Sequence, residues 1–240
     1  MVISISLYIS IREICHRRKF QGNFTYLAFL NLKKAYDSVP FFNILTKLYN
    51  LGIRDKCQLF LRNLYLSSKA RAFFNGNLSE EFSINRGVRQ RYPLSPILFN
   101  LFINDVMNHC DKYSVNLDSQ YCCGGLFGDD IVLVAPSKQA LKKILSKAHE
   151  WVIKNEMTFG IKKCATLVVK QINFIKLINY EDPSFFIGSN KLPKTDSYTY
   201  LGILYDESLS MKPIQSKLNS NLNVKLNSYF RFLINLFLSH

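Results

Sequence analysis

Apolar side chains recur along this chain with two periods, and the switches between them lay out its elements. Ile3, Leu7, Ile11 and Ile14 fall at helical spacing, and Arg17-Arg18-Lys19 closes the run with the positive charge that suits a helix C-terminus. Gly22-Asn23 marks a turn. Residues 24–32, FTYLAFLNL, form a nearly unbroken apolar run and predict a strand covered on both faces. Pro40 opens a helix that Gly52 closes, and Asp55 is the expected N-cap of the next, which runs toward Ser67. Residues 70–84 predict a hairpin around Asn75-Gly76, with Phe82 and Ile84 alternating. Leu94, Ile97, Leu98, Leu101 and Phe102 mark one face of a further helix. Ser137 is placed to cap another, in which Leu141, Ile144, Leu145, Ala148 and Val152 align. Residues 164–169 and 198–204 read as strands, and the irregular stretch 170–197 between them as an insertion or linker. Beyond Glu207 the chain is rich in Asn, Ser and Lys, and 229–238 reads as an amphipathic or truncated helix. Strands mixed with helices, without βαβ regularity, predict an α+β fold.

One stretch within this pattern carries chemistry. Residues 121–136, YCCGGLFGDDIVLVAP, set two adjacent carboxylates, Asp129 and Asp130, between two apolar runs. Gly128 permits a two-residue hairpin turn, which holds the acidic pair at the tip of a rigid, half-buried hairpin. Like charges side by side are unfavourable unless a cation sits between them. Mg²⁺, a hard oxygen-seeking ion that keeps waters and substrate phosphates in its shell, suits such a pair. By itself Gly-Asp-Asp favours the blander reading, an ordinary acidic turn.

Composition narrows the class of partner. The chain has 240 residues, 48% of them hydrophobic, which is ordinary for a globular protein and excludes wholesale disorder. Its formal net charge of +14 is not ordinary, and the basic residues are spread along the chain. Such a domain usually meets a polyanion, with nucleic acid the leading candidate and an anionic membrane surface the weaker one. The six cysteines show no paired spacing, so they read as reduced thiols of an intracellular protein, nuclear or cytoplasmic, and not as a disulfide or zinc framework. No membrane span or signal peptide is expected.

Four blocks stand in a telling order: FLNLKKAYDSVP (29–40), GVRQRYPLSPILFNLFINDV (87–106), LFGDDIVLVA (126–135) and YTYLGI (198–203). Together they resemble the reverse transcriptase domain of non-LTR (LINE-type) retrotransposons, in the motifs lettered A, B, C and E, and KKCATLVV (162–169) looks like the end of motif D. The resemblance runs from about residue 15 to 205. It implies a right-hand polymerase palm with partial fingers, in which an antiparallel sheet carries the acidic hairpin and helices pack on one face. The implied division is a residual fingers or entry helix (1–22), the palm (23–169), the linker or insertion (170–197), then the motif E primer grip and the start of a truncated thumb (198–240).

The resemblance also implies the partners and the site. The partners are an RNA template, a DNA primer and deoxynucleoside triphosphates, and the cofactor is a pair of Mg²⁺ ions for nucleotidyl transfer. Asp129 and Asp130 match the motif C metal ligands. Tyr36 matches the aromatic residue under the sugar, Gln90 the residue near the incoming nucleotide, and Ser95 the start of the helix behind it. Lys163 corresponds to the motif D lysine that protonates pyrophosphate, with a solvated surface lysine as the bland alternative. Tyr200, Leu201 and Gly202 match the primer grip. Lys33, Lys34, Arg86 and Arg89 lie near these motifs and suit template or triphosphate contacts.

Two positions depart from the family pattern. The first Asp of motif A is here Asn31, a neutral amide that cannot bridge two dications as a carboxylate does. The Gly after Gln90 is here Arg91, where glycine lets the backbone approach the nascent base pair. Both substitutions are expected to impair this copy. The alternative is an inactive retroelement remnant that at most binds nucleic acid. A viral RNA-dependent RNA polymerase also carries Gly-Asp-Asp, but the QxxPLSP spacing, Tyr36 and the YLGI block favour the reverse transcriptases.

Binding driven by the net charge does not need an intact reaction centre. A labelled primer–template is expected to bind without sequence preference, with affinity falling steeply as salt rises, because phosphate contacts release counterions. Titration by anisotropy at several salt concentrations checks this, and salt-insensitive binding would assign the charge another purpose.

Overall fold

The computed structural model describes residues 2–108, 110–117, 120–171 and 181–209. It opens with α1 (Val2–Phe20) and β1 (Thr25–Asn31), followed by one helical turn, α2 (Ala35–Ser38), and by α3 (Phe41–Asn50) and α4 (Asp55–Leu66). A small arm follows, in which β2 (Lys69–Ala70) pairs with β5 (Phe82–Ser83) and, further out, β3 (Phe73–Phe74) pairs with β4 (Asn77–Leu78). Next come α5 (Ser95–Ile103), the short pair β6 (Val115–Leu117) and β7 (Gln120–Cys122), β8 (Gly124–Phe127), β9 (Asp130–Ala135) and α6 (Lys138–Lys154). The described chain finishes with β10 (Ala165–Val169), β11 (Phe186–Ile187), β12 (Asn190–Lys191), β13 (Ser197–Tyr200) and β14 (Ile203–Asp206).

β1 explains the architecture. The central sheet is four-stranded and antiparallel, in the order β10-β1-β9-β8, so β1 is paired on both edges. Its side chains alternate between two cores. Leu27 and Phe29 pack with Val132, Val134 and Leu167 beneath Tyr8, Ile11 and Cys15 of α1 and Tyr200 and Tyr205 of the last hairpin. Ala28 and Leu30 pack with Ile131 and Leu133 beneath Phe99 and Phe102 of α5 and Leu141, Ile144 and Leu145 of α6. A strand buried on both faces must be apolar throughout, which is why its hydrophobic run shows no alternation. The expected helical face is therefore the α5–α6 side, and α1 with the β13–β14 hairpin closes the other.

The structure corrects several local expectations. Arg54, not Asp55, occupies the N-cap of α4, and Asp55 is its first residue, where its charge still favours the helix N-terminus. The buried stripe of α5 runs through Ser95, Leu98, Phe99, Phe102 and Ile103, while Ile97 is 56% exposed. Phe99 takes the inward position because it stacks on Tyr36, with ring centroids 4.7 Å apart. The strand expected over 198–204 is a hairpin, because Leu201 and Gly202 both have positive φ and turn the chain. The segment 170–197 is in its later part a contributor to the core, with Phe185, Ile187 and Leu192 fully buried. The N-terminal cap of α6 is as expected, with the Ala140 amide donating to Ser137 Oγ at 3.1 Å. The helix expected over 229–238 lies outside the described residues.

A polar knot ties the helices of one face together. The Lys47 ammonium donates to Asp105 Oδ1 and to the Phe102 carbonyl, both at 2.6 Å, and lies over the rings of Phe102 and Trp151. Trp151 Nε1 donates to the same Asp105 oxygen at 2.7 Å. Lys47→Met is expected to cost about 2 kcal/mol, because it leaves the Phe102 carbonyl without its Lys47 donor and the half-buried Asp105 carboxylate without its cation. Urea denaturation followed by the fluorescence of Trp151, the chain's single tryptophan, measures it. An unchanged midpoint would show that the knot contributes nothing.

Candidate active site

The β8–β9 hairpin pairs Phe127 with Asp130, which leaves Gly128 and Asp129 as its two turn residues. Gly128 has φ +59°, the conformation a mirror-image hairpin turn asks of its first position. Asp129 thus sits in the turn and Asp130 begins β9. Across the ladder Asp130 pairs with Asn31, the last residue of β1. The side chains meet: Asn31 Nδ2 donates to Asp130 Oδ1 at 3.1 Å and to Asp129 Oδ2 at 3.3 Å. The end of β1 is itself anchored, since the Gly160 amide donates to the Asn31 carbonyl at 2.8 Å and the Lys33 amide to the Thr158 carbonyl at 2.9 Å.

The electrostatics follow from this crowding. Burial pushes the Asp130 carboxyl above its ordinary value. The Asn31 hydrogen bond pulls it back, the charge of Asp129 pushes it up again, and that of Lys163 lowers it. Lys163 is exposed, and its carbonyl accepts a hydrogen bond from the Tyr198 hydroxyl at 2.7 Å. The Tyr200 hydroxyl approaches the Asp130 carbonyl at 3.4 Å from the face opposite α5 and α6, so the primer-grip candidate buttresses the acidic strand from below. Leu201 and Gly202 form the turn beyond it.

On the other side lies an open cleft of about 430 Å³, lined by Tyr36, Pro96, Asn100, Ile103, Leu126 and Gly128 among others. Tyr36 stands there against Phe99. Gln90 is held elsewhere, its Nε2 donating to Asp37 Oδ1 at 2.7 Å. Residues 36–40 and 86–90 are laced together: the Val88 amide donates to the Tyr36 carbonyl at 2.8 Å and the Gly87 amide to the Val39 carbonyl at 2.9 Å. A Cβ on Gly87, at φ +93°, would press on the Asp37 backbone at 3.1 Å. Ser95 Oγ donates to the Arg89 carbonyl and closes the loop before α5. Arg91 is exposed and holds φ +62°, a conformation that suits the family's glycine and strains an arginine.

Sequence reasoning missed two of these arrangements. It gave Asp37 no role of its own, yet Asp37 orients Gln90. It also did not foresee the Phe99 ring beneath Tyr36. The first had a signal in the glycine of GVRQ, which marks a close approach of backbones, and the second had none.

The donor set suits a hard divalent cation. Two carboxylates and an amide oxygen, once Asn31 turns its carbonyl inward, offer oxygen ligands beside an open cleft. Among the described residues no group of three or more His, Cys, Asp or Glu is placed to hold a metal ion. Asp129, Asp130 and the Asn31 amide are the oxygen groups that this end of the sheet brings together.

An antiparallel sheet whose hairpin tip faces the end of the neighbouring strand with acidic side chains is the palm of a nucleic-acid polymerase. The family model for reverse transcriptase (RNA-dependent DNA polymerase) matches residues 4–205, and the chain belongs to that family. Its relatives are of the non-LTR retrotransposon kind. It is 31% identical over 182 residues to the Pol polyprotein of the type-2 retrotransposable element R2DM of Drosophila melanogaster, covering 74% of this chain and 17% of that protein. It is 32% identical over 212 residues to the Pol polyprotein of a type-1 element R2 of Nasonia vitripennis, covering 85% and 20%. The chain thus spans a fifth or less of the length of these relatives. Among solved structures, apo telomerase from Candida tropicalis shares the fold, with a TM-score of 0.58 at 13% identity over 85% of this chain and 38% of that one. The same telomerase in complex with a TWJ fragment of telomeric RNA also matches at 0.58, with 11% identity over 88% and 32%. Members of the family use divalent metal ions.

The Asn31 amide eases the repulsion within the acidic pair by donating a hydrogen bond to each carboxylate. Asn31→Asp is expected to lower the stability of the metal-free protein by about 1–3 kcal/mol at neutral pH, because three carboxylates then share one site. Millimolar Mg²⁺ should restore the variant more than it stabilises the parent chain. Thermal melts in chelator and in Mg²⁺ test both halves, and a variant as stable as the parent in chelator would sink the idea.

Proposed function

We propose that this chain is the palm of an RNA-directed DNA polymerase whose catalytic step is impaired by the amide at position 31. The observation that carries the reading is the hydrogen bonding of Asn31 Nδ2 to both Asp129 and Asp130. In that arrangement a donor faces the space where a cation would be bound. Asp129 and Asp130, with Asn31 Oδ1 after a turn of the amide, are the groups that would hold Mg²⁺. Bound there, the ion supplies Lewis-acid stabilisation to the phosphoryl oxygens and the attacking primer hydroxyl.

The chain's own residues divide the remaining work. Tyr36, propped on Phe99, offers a flat wall for the sugar of the incoming nucleotide. Gln90, held by Asp37 outside the cleft in the empty protein, is the residue that would turn in to border the nascent pair, and Ser95 holds the loop that carries it. Tyr200, Leu201 and Gly202 support the primer end, and Lys163 stands where it can give a proton to the leaving pyrophosphate. The substrates of this reading are an RNA template, a DNA primer and deoxynucleoside triphosphates. An RNA partner is supported by the charge of +14 and by the telomeric RNA bound to the telomerase of like fold.

Loss of one negative ligand should cost about 10²–10⁴-fold in rate. The unmodified chain is therefore expected to extend a DNA primer on an RNA template little or not at all. Asn31→Asp with Arg91→Gly restores the carboxylate and relieves the left-handed arginine, and should give measurable extension where either change alone gives less. Asp129→Asn in that background should abolish it. Robust synthesis by the unmodified chain would overturn the impaired reading. Activity that survives loss of Asp129 would overturn the site assignment.

A further inference from the structure

Three sulfur-bearing side chains meet where the chain leaves α5 and where it enters the acidic hairpin. Met107 ends the tight helical turn Asn104–Met107 that follows α5, and the Cys110 amide donates to the Met107 carbonyl at 3.2 Å. Cys123 lies between β7 and β8. Its carbonyl accepts from the Val134 amide at 2.8 Å, so its backbone extends the ladder of the hairpin that bears Asp129 and Asp130. The β6–β7 pair, with Val115 opposite Cys122, folds the intervening chain back and brings the two segments together.

The Cys123 thiol lies 3.9 Å from Met107 Sδ and shares a hydrogen bond with the Cys110 thiol. Cys110 is 1% exposed, whereas Cys123 and Met107 are only partly buried against the same core, which leaves a way in from solvent. A metal–thiolate bond is about 2.3 Å long, so three sulfurs set in a plane around one ion lie about 4 Å apart. The Cys123–Met107 separation has that value. Thiolate and thioether are soft donors, and among the first-row ions they select Cu⁺. Mg²⁺ takes oxygen ligands. Structural Zn²⁺ takes four ligands from Cys, His and carboxylates, and the described residues bring no third group of that kind to this spot. Cu⁺, a closed-shell ion content with two or three sulfurs, fits the set as it stands. The remaining cysteines lie elsewhere: Cys15 belongs to the opposite core, Cys57 is exposed on α4, and Cys164 sits against the end of β1.

We propose that Met107, Cys110 and Cys123 form a site for one soft monovalent metal ion, of the class of Cu⁺, held by two thiolates and a thioether. Each thiol gives its proton to solvent as it binds, so Cu⁺ enters, two protons leave and no oxidation state changes. The bound ion ties the segment that follows α5 to the start of β8. The site stands apart from Asp129 and Asp130, and the inference does not depend on the polymerase reading.

The test uses the full chain, reduced and kept free of oxygen, titrated with Cu⁺ against a chromophoric Cu⁺ chelator such as bathocuproine disulfonate. One equivalent is expected to pass to the protein, with a rise in melting temperature, since an ion that binds only the folded state stabilises it. Partners outside the ligand shell are alone worth about 10–100-fold in metal affinity, so Cys110→Ala and Cys123→Ser should each cost at least about 100-fold. Met107→Leu, which keeps the volume, should cost about tenfold. Cys57→Ser should change nothing. X-ray absorption at the copper edge should show a shell of sulfur. Should the Cys110 variant fail to fold, Cys123→Ser at its partly exposed position and Met107→Leu still decide the matter. No transfer from the chelator, an affinity unmoved by Cys123→Ser or by Met107→Leu, or a shell of nitrogen and oxygen would overturn the proposal. Isolation of Cys110 and Cys123 as a disulfide under the same reducing conditions would overturn it too.

Discussion

The register between β1 and β9 sets Asn31 across from Asp130, and the rest of the molecule depends on that alignment. Side chains along a strand alternate between faces, so a slip of one residue would send Leu27 and Phe29 into the wrong core and carry Asn31 away from the acidic turn. The two cores pin the register from both sides, with α1 and the last hairpin on one face and α5 and α6 on the other. The geometry of the site is thus set by apolar packing well away from its charges.

Asp129 and Asp130 create an electrostatic problem that the fold must answer locally. Burial and the charge of Asp129 both work against the charge of Asp130. Asn31 eases the conflict with a single amide group that donates to both. The same residue that quiets the metal-free site withholds the negative charge a pair of dications would use. Stability of the empty chain and strength of metal binding are opposed at one position.

Much of this was legible in the sequence because it rests on local chemistry. The unbroken apolar run of β1, the glycine before the acidic pair and the Ser137 cap each have a short-range physical cause, and the motif order places Asn31 beside Asp129 and Asp130. What could not be read depends on contacts distant in sequence. Ile97 looks as apolar as Phe99, and packing against the whole core, Tyr36 included, decides which of them turns inward. Phe185, Ile187 and Leu192 lie in a stretch without periodicity, yet they fill the core beside α6. The Asp37–Gln90 bond joins α2 to the loop before α5, and Gly87 signals the close approach of the two backbones without showing which side chains meet.

β1 also governs how the protein comes into being. Its partners β9 and β10 lie about a hundred residues and more further along the chain, so neither edge of β1 can be satisfied early. Closing such long loops is entropically slow, and topologies dominated by distant pairings fold slowly for that reason. On a ribosome, the apolar strand waits unpaired until the acidic hairpin has emerged. The sheet cannot be completed before β10 has followed, so the strand that bears the site is among the last to gain both its partners.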